Sequence, residues 1–209
     1  MNVDVAHQIS AVRREVGGRV LEAGTARVMT VSRTYDATVE EVWDACTDAE
    51  RMARWFTPVT GNLRLGGRYQ LEGNASGTIE RCEPPHLVGA TWEYGGEVSW
   101  IELRLGAETD ATTRVTLEHV AHVDDERWLE YGPGATGVGW DLAFLGLGLH
   151  LADPSATLDP AWATSANARE FMVESSRRWE RAAVAAGDDP EQARAAAERT
   201  ASFYTGAEG

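Results

Sequence analysis

Apolar positions along the 209 residues follow two spacings, and each predicts a different kind of element. Val5, Ile9, Val12 and Val16 recur at helical intervals and predict a short amphipathic helix that Gly17-Gly18 ends. Arg19 to Glu22 and Arg27 to Tyr35 are strand-prone runs on either side of Ala23-Gly24-Thr25, which predicts a hairpin entering the first long strand. Thr38 then stands as a helix N-cap, with Glu41 three residues on to complete a reciprocal T-x-x-E box. Val39, Val42, Trp43 and Cys46 make one apolar helical face. Asp48 caps a second short helix carrying Met52, Trp55 and Phe56, and Pro58 bars its continuation.

From Asn62 the pattern becomes short alternating runs, punctuated at Gly66-Gly67, Asn74-Ala75, Pro84-Pro85, Gly95-Gly96 and Thr109-Asp110. This predicts an antiparallel meander with strands Arg68 to Gly73, Gly77 to Cys82, Leu87 to Tyr94, Glu97 to Leu105 and Thr112 to His122. Alternation puts Val115, Leu117 and His119 on one face, with Ile101, Leu103 and Leu105 as an inner set and Val88, Ala90, Trp92 and Tyr94 as the better inner candidates of their strand. Asp124 to Tyr131 is expected as a helical turn or irregular segment, followed by the glycine-rich GPGATGVGW. Helical spacing then returns. Trp140, Phe144, Leu147 and Leu151, widened by Leu142, Leu145 and Leu149, predict a deeply buried helix from Val138 to Leu151 that Pro154 closes. In the tail, Phe171, Ser175, Trp179 and Ala182 mark a charged helix ended by Gly187, and Asp189-Pro190 with Gln192 starts a last one.

A strand, two short helices, a meander and a long apolar helix make an α+β fold in the helix-grip order. VSRTYDATVEEVWDACTDAERMARWF, LGGRYQLEGNASGTIERCEPPHLVGATWEY, TTRVTLEH and GVGWDLAFLGLGLHL together resemble the START-like (SRPBCC) superfamily, and within it the branch related to the activator of heat-shock protein 90 ATPase. The resemblance spans roughly Arg27 to Leu151. It implies a curved antiparallel sheet wrapped around the long helix, two short helices closing one end, and a cavity between sheet and helix. The expected division is an N-terminal extension over 1–26, a helix-grip domain over 27–152 and a helical extension over 153–209 packed on that domain. The tail continues past the point where the long helix usually ends such chains, so its helices are placed to cover the cavity or to form an interface.

Composition narrows the partners. With 33 acidic and 19 basic residues the net charge is -14, which argues against a nucleic-acid backbone or an anionic membrane. Every basic residue is Arg, so lysine Schiff-base chemistry is unavailable. Cys46 and Cys82 read as free thiols. No run approaches a membrane span, and MNVDVAHQIS lacks the flanks of a signal peptide, so the expected location is the cytoplasm.

Candidate chemistry is sparse. Gly132, Gly134 and Gly137 match G-x-G-x-x-G, but Pro133 sits inside the motif and a charged segment precedes it, so a hinge, or a gate over the cavity mouth, is the better reading than a nucleotide cradle. His119 and His122 point to opposite faces of a strand and cannot readily share an ion; no metal and no cofactor is expected. His119 faces inward, either hydrogen-bonded within the core or contacting a ligand, with Glu93 or Glu102 as potential partners. Eight tryptophans serve either as core or as lining for a flat apolar molecule. The expected ligand-binding set is Trp55, Phe56, Tyr69, Asn74, Trp92, Tyr94, His119, Trp140 and Phe144. Arg54, Arg68 and Arg104 are expected in surface ion pairs. The leading expectation is a binder of a small hydrophobic or aromatic molecule, without catalysis. Alternatives are a cyclase- or hydrolase-like enzyme with His119 as acid–base, and a co-chaperone or regulatory module. The stripes on the tail helices allow a homodimer.

Overall fold

The structure, a computed structural model, describes residues 3–155 and 160–206. It is α+β, with eight strands in one sheet in the order β1-β2-β8-β7-β6-β5-β4-β3. The strands are β1 (Arg13–Leu21), β2 (Gly24–Tyr35), β3 (Val59–Gly61), β4 (Arg68–Leu71), β5 (Ser76–Glu83), β6 (Leu87–Tyr94), β7 (Glu97–Thr109) and β8 (Thr112–Ala121). The helices are α1 (Val5–Ser10), α2 (Val39–Thr47), α3 (Ala49–Trp55), α4 (Asp125–Tyr131), α5 (Gly134–Ala152), α6 (Ala166–Ala185) and α7 (Pro190–Thr205). Residues cluster into two compact units. One is Ser32–Ala121 with Ala143–Leu158, here the sheet unit; the other is Met1–Val31 with His122–Leu142 and Asp159–Gly209, here the helical unit.

In the sheet unit β4 to β8 form the expected antiparallel meander, which β3 extends by pairing with β4. The register aligns Ile79, Ala90, Ile101 and His119 in one row across β5 to β8. A bulge between Ile79 and Arg81 restores Cys82 opposite Val88, so two residues three apart in sequence share a face that strict alternation would deny them. Strand β3 was not anticipated, because a three-residue pairing carries no periodicity. Thr38 caps α2 through the Glu41 N–H at 3.3 Å. The return half of that box is replaced. The Glu41 carboxylate accepts from Arg51 of α3 at 2.6 Å, and Asp44 accepts from the same guanidinium at 3.0 Å. Arg51 Nε also donates to His150 Nε2 of α5 at 3.2 Å, so one cation ties three helices. On α5 the Phe144 carbonyl accepts from the Tyr35 hydroxyl at 2.7 Å.

The helical unit corrects the first prediction. The N-terminal helix stops at Ser10, and Val12 and Val16 belong to the approach and body of β1, which runs through Gly17-Gly18. Pairing with β2 outweighs a weak helical stripe. The glycine-rich stretch is a correction too. Gly134, Gly137 and Gly139 lie inside α5. A Cβ on Gly137 would stand 2.2 Å from the Trp179 indole of α6, so this glycine admits a ring against the helix backbone and offers no room for a phosphate. The same indole donates to the Asp141 carboxylate at 3.1 Å, joined on the same oxygen by the Ser175 hydroxyl at 2.5 Å and Arg14 Nε at 2.8 Å. Asp141, Ser175 and Trp179 are fully buried, and burial pushes the Asp141 carboxyl up while Arg14 opposes that shift. The tail follows expectation, with α7 capped by Asp189 and opened by Pro190.

Two stability outcomes are expected from these contacts. Gly137→Ala should lower unfolding free energy by about 2–3 kcal/mol in chemical denaturation, since a buried rigid ring is the obstacle. Asp141→Ala should cost about 3–5 kcal/mol by the same measurement, because it strands the buried Arg14 charge.

Candidate ligand-binding site

The inner face of the sheet unit is covered unevenly. Leu105, Val115 and Leu117 are buried, as are Val59, Tyr69, Leu71, Ile79 and Ala90, which form one cluster. Against that cluster lie Met52 and Phe56 from the α3 segment, Cys82 of β5, Val88 and Trp92 of β6 and Ile101 of β7, all only partly buried. Helix α3 buries none of its residues completely. A strip of apolar side chains on this face is therefore only partly buried. Leaving such surface in water is unfavourable by roughly 25 cal/mol per Å², so it favours an apolar occupant.

One end of the strip is polar. His119 is 4% exposed, with its Nε2 2.8 Å from Ser99 Oγ and its ring 6.0 Å from the Trp92 ring. Ser99 Oγ also donates to the Trp92 carbonyl at 3.1 Å. A carbonyl only accepts, so the single hydroxyl proton goes to Trp92 and Ser99 Oγ accepts from His119 Nε2–H. Burial holds the imidazole down from its ordinary 6.5 to about 4, so it is neutral and weakly basic near pH 7. Glu93 is engaged by Arg68 at 2.8 Å and Glu102 by Arg81 at 2.8 Å and by Arg104, so these carboxylates are committed to the other face.

The remaining expected site residues are distributed as follows. Phe56, Tyr69, Trp92 and His119 are brought together on this face. The Tyr69 hydroxyl is committed to the Thr91 carbonyl at 2.7 Å, and burial pushes it up to about 12. Trp55 stacks beside Phe56 with ring centroids 5.5 Å apart, its N–H donating to the Ala45 carbonyl. Asn74 shapes the β4–β5 turn by accepting from the Ala75 N–H. Tyr94 is 61% exposed at the β6–β7 turn, and Phe144 packs on Tyr35. Trp140 is buried and belongs to the helical unit. Ser99, Met52, Cys82, Val88 and Ile101 were not in the expected set. Parity with Ile101 could have found Ser99, but the bulge that turns Cys82 inward leaves no trace in composition.

Two crevices lie elsewhere. One, of about 320 Å³ in the helical unit, is lined by Arg27, Trp128, Asp188 and Asp189 among others. Its polar groups satisfy one another: Arg27 stacks over Trp128 and pairs with Asp125, and the Trp128 N–H donates to Asp188 at 2.7 Å. Another, of about 350 Å³, lies at strand ends around His86, Arg104 and Arg114. Both cysteines are free, and burial pushes the Cys46 thiol up to about 12, which makes it unreactive. Among the described residues no cluster of His, Cys, Asp and Glu could hold a metal ion, and no helix is long and apolar enough to cross a membrane.

A sheet that presents an inner face to two short helices and a long one defines an α+β helix-grip protein. The chain belongs to the family of Activator of Hsp90 ATPase homolog 1-like proteins, whose family model matches residues 36–150. It is similar to CalU16 from Micromonospora echinospora, whose crystal structure is 38% identical over 85% of this chain and 99% of that one, with a TM-score of 0.65. The solution structure of CalU16 gives 40% identity over 85% and 97%, with a TM-score of 0.69. DynU16, a protein of the dynemicin biosynthetic locus, shares the fold at 20% identity over 61% of this chain and 48% of its own, with a TM-score of 0.53. No curated protein matches the chain.

Because the folded protein excludes a proton from His119 that the unfolded chain binds, this group's contribution is complete above about pH 6.5 and is lost as pH falls toward 4. Between pH 7 and pH 5 the loss is about 2 kcal/mol. Chemical denaturation of His119→Gln should show a pH 7 to pH 5 decline smaller than wild type by about that amount, and an equal decline would show that His119 titrates normally.

Proposed function

We propose that the protein binds a small hydrophobic or aromatic molecule on the inner face of its sheet unit, beneath α3, and holds it without chemical change. The observation that carries this reading is the partly exposed strip of Met52, Phe56, Cys82, Val88, Trp92 and Ile101 against a closed apolar cluster. Area burial would supply most of the affinity, and the Ser99–His119 pair the orientation. Family membership supports the reading at the level of the fold, which hosts many functions. Occurrence of DynU16 in a biosynthetic locus fits a handler of small molecules. The domain that would carry this activity is the 27–152 segment expected from the sequence, which contains the family match.

The enzyme alternative has less support. A neutral, weakly basic His119 whose contacting hydroxyl already donates to a carbonyl is a poor activator of a nucleophile.

Titration with the fluorophore N-phenyl-1-naphthylamine should give saturable enhancement with micromolar affinity. Phe56→Ala and Trp92→Ala should each weaken it about tenfold, in line with loss of one large apolar contact. No enhancement, or binding indifferent to both substitutions, would remove the strip as the site.

A further inference from the structure

Ser99 is a neutral polar group at a partly exposed position on this face whose hydroxyl keeps some bonding capacity. Its proton goes to the Trp92 carbonyl and one lone pair accepts from His119, which leaves its second lone pair directed to no described partner. The residue is half-buried, so it is not sealed within the core. Among the described residues of the strip none carries a positive charge. Met52, Phe56, Cys82, Val88, Trp92 and Ile101 are uncharged. Glu97 lies two residues along β7 on the same face, and the chain carries a net charge of -14. Arg68, Arg81 and Arg104 are paired with carboxylates of the opposite face. The arrangement accepts a hydrogen bond and repels an anion.

Resting on the binding site proposed above, we infer that Ser99 is its specificity-determining residue and that the ligand class is a neutral, flat aromatic bearing a hydroxyl, a phenol or fused-ring phenol. The hydroxyl donates to Ser99 Oγ while the ring lies along Trp92 and Ile101. His119 acts as a positioning residue: its Nε2–H fixes the rotamer of the Ser99 hydroxyl, and its burial keeps it from contributing a charge that would recruit carboxylates. No bond is made or broken in the ligand.

Four naphthalenes of similar size separate the possibilities: 2-naphthol, 2-methoxynaphthalene, 2-methylnaphthalene and 2-naphthoate, each competed against N-phenyl-1-naphthylamine at pH 7. The expected order places 2-naphthol about five- to tenfold tighter than the methoxy and methyl compounds, the equivalent of one hydrogen bond, with 2-naphthoate weakest. Ser99→Ala should bring the naphthol-to-methoxy ratio to about one, and Ser99→Thr should retain the ratio. Preference for 2-naphthoate, equal binding of naphthol and its methyl ether, or a ratio insensitive to Ser99→Ala would overturn the assignment of Ser99 and leave the apolar site standing. Failure of the fluorophore and of all four naphthalenes to bind would overturn both.

Discussion

A helix that lacks side chains where its neighbours approach is the constraint on which the two halves of this structure each depend. At Gly137 of α5 the Trp179 indole fills the space a Cβ would take. At Gly148 the Arg33 guanidinium and the Tyr35 ring lie 3.2–3.3 Å from the position of a Cβ. With neighbours this near, side chains hydrogen-bond to α5 itself: Tyr35 to the Phe144 carbonyl, Tyr204 to the Ala135 carbonyl, Trp179 to the Asp141 carboxylate. Glycine weakens a helix by about 1 kcal/mol per position relative to alanine, and packing of large rings against bare backbone offsets that loss.

Polar groups are then distributed according to what can satisfy them. Asp141 is fully enclosed and receives a guanidinium, a hydroxyl and an indole N–H. Arg51 gathers Glu41, Asp44 and His150 and holds α2, α3 and α5 in place. Ser99 and His119, by contrast, are hydrogen-bonded to each other at the edge of an apolar strip. Such a site would read shape and one hydrogen bond and would exert little attraction on charge.

Helix α3 is the element by which occupancy would be felt. It is short, buries no residue fully, and contributes Met52 to the strip, with Phe56 at its C-cap. Its polar attachments include Arg51 to Glu41, Asp44 and His150 and the Trp55 N–H to the Ala45 carbonyl. An occupant under Phe56 would bury what α3 leaves half open, and the helix would gain stability from its ligand.

The amino-acid sequence by itself determined the elements whose information is local. Capped starts at Thr38, Asp48 and Asp189, five alternating runs between turn signals and the apolar stripe after Trp140 are short-range patterns, and the structure places helices and strands there. The inward direction of His119 was legible from parity with Val115 and Leu117. Tertiary structure decided the rest, because the deciding energies come from contacts distant in sequence. Glu41 left its own N-cap for Arg51, Val12 and Val16 left a helical stripe for a strand, and Gly134 and Gly137 proved to be helix-packing positions. The polar end of the strip was hidden for the same reason: the Ser99–His119 pair is diagonal between neighbouring strands, and only the register of β7 on β8 brings the two side chains within reach.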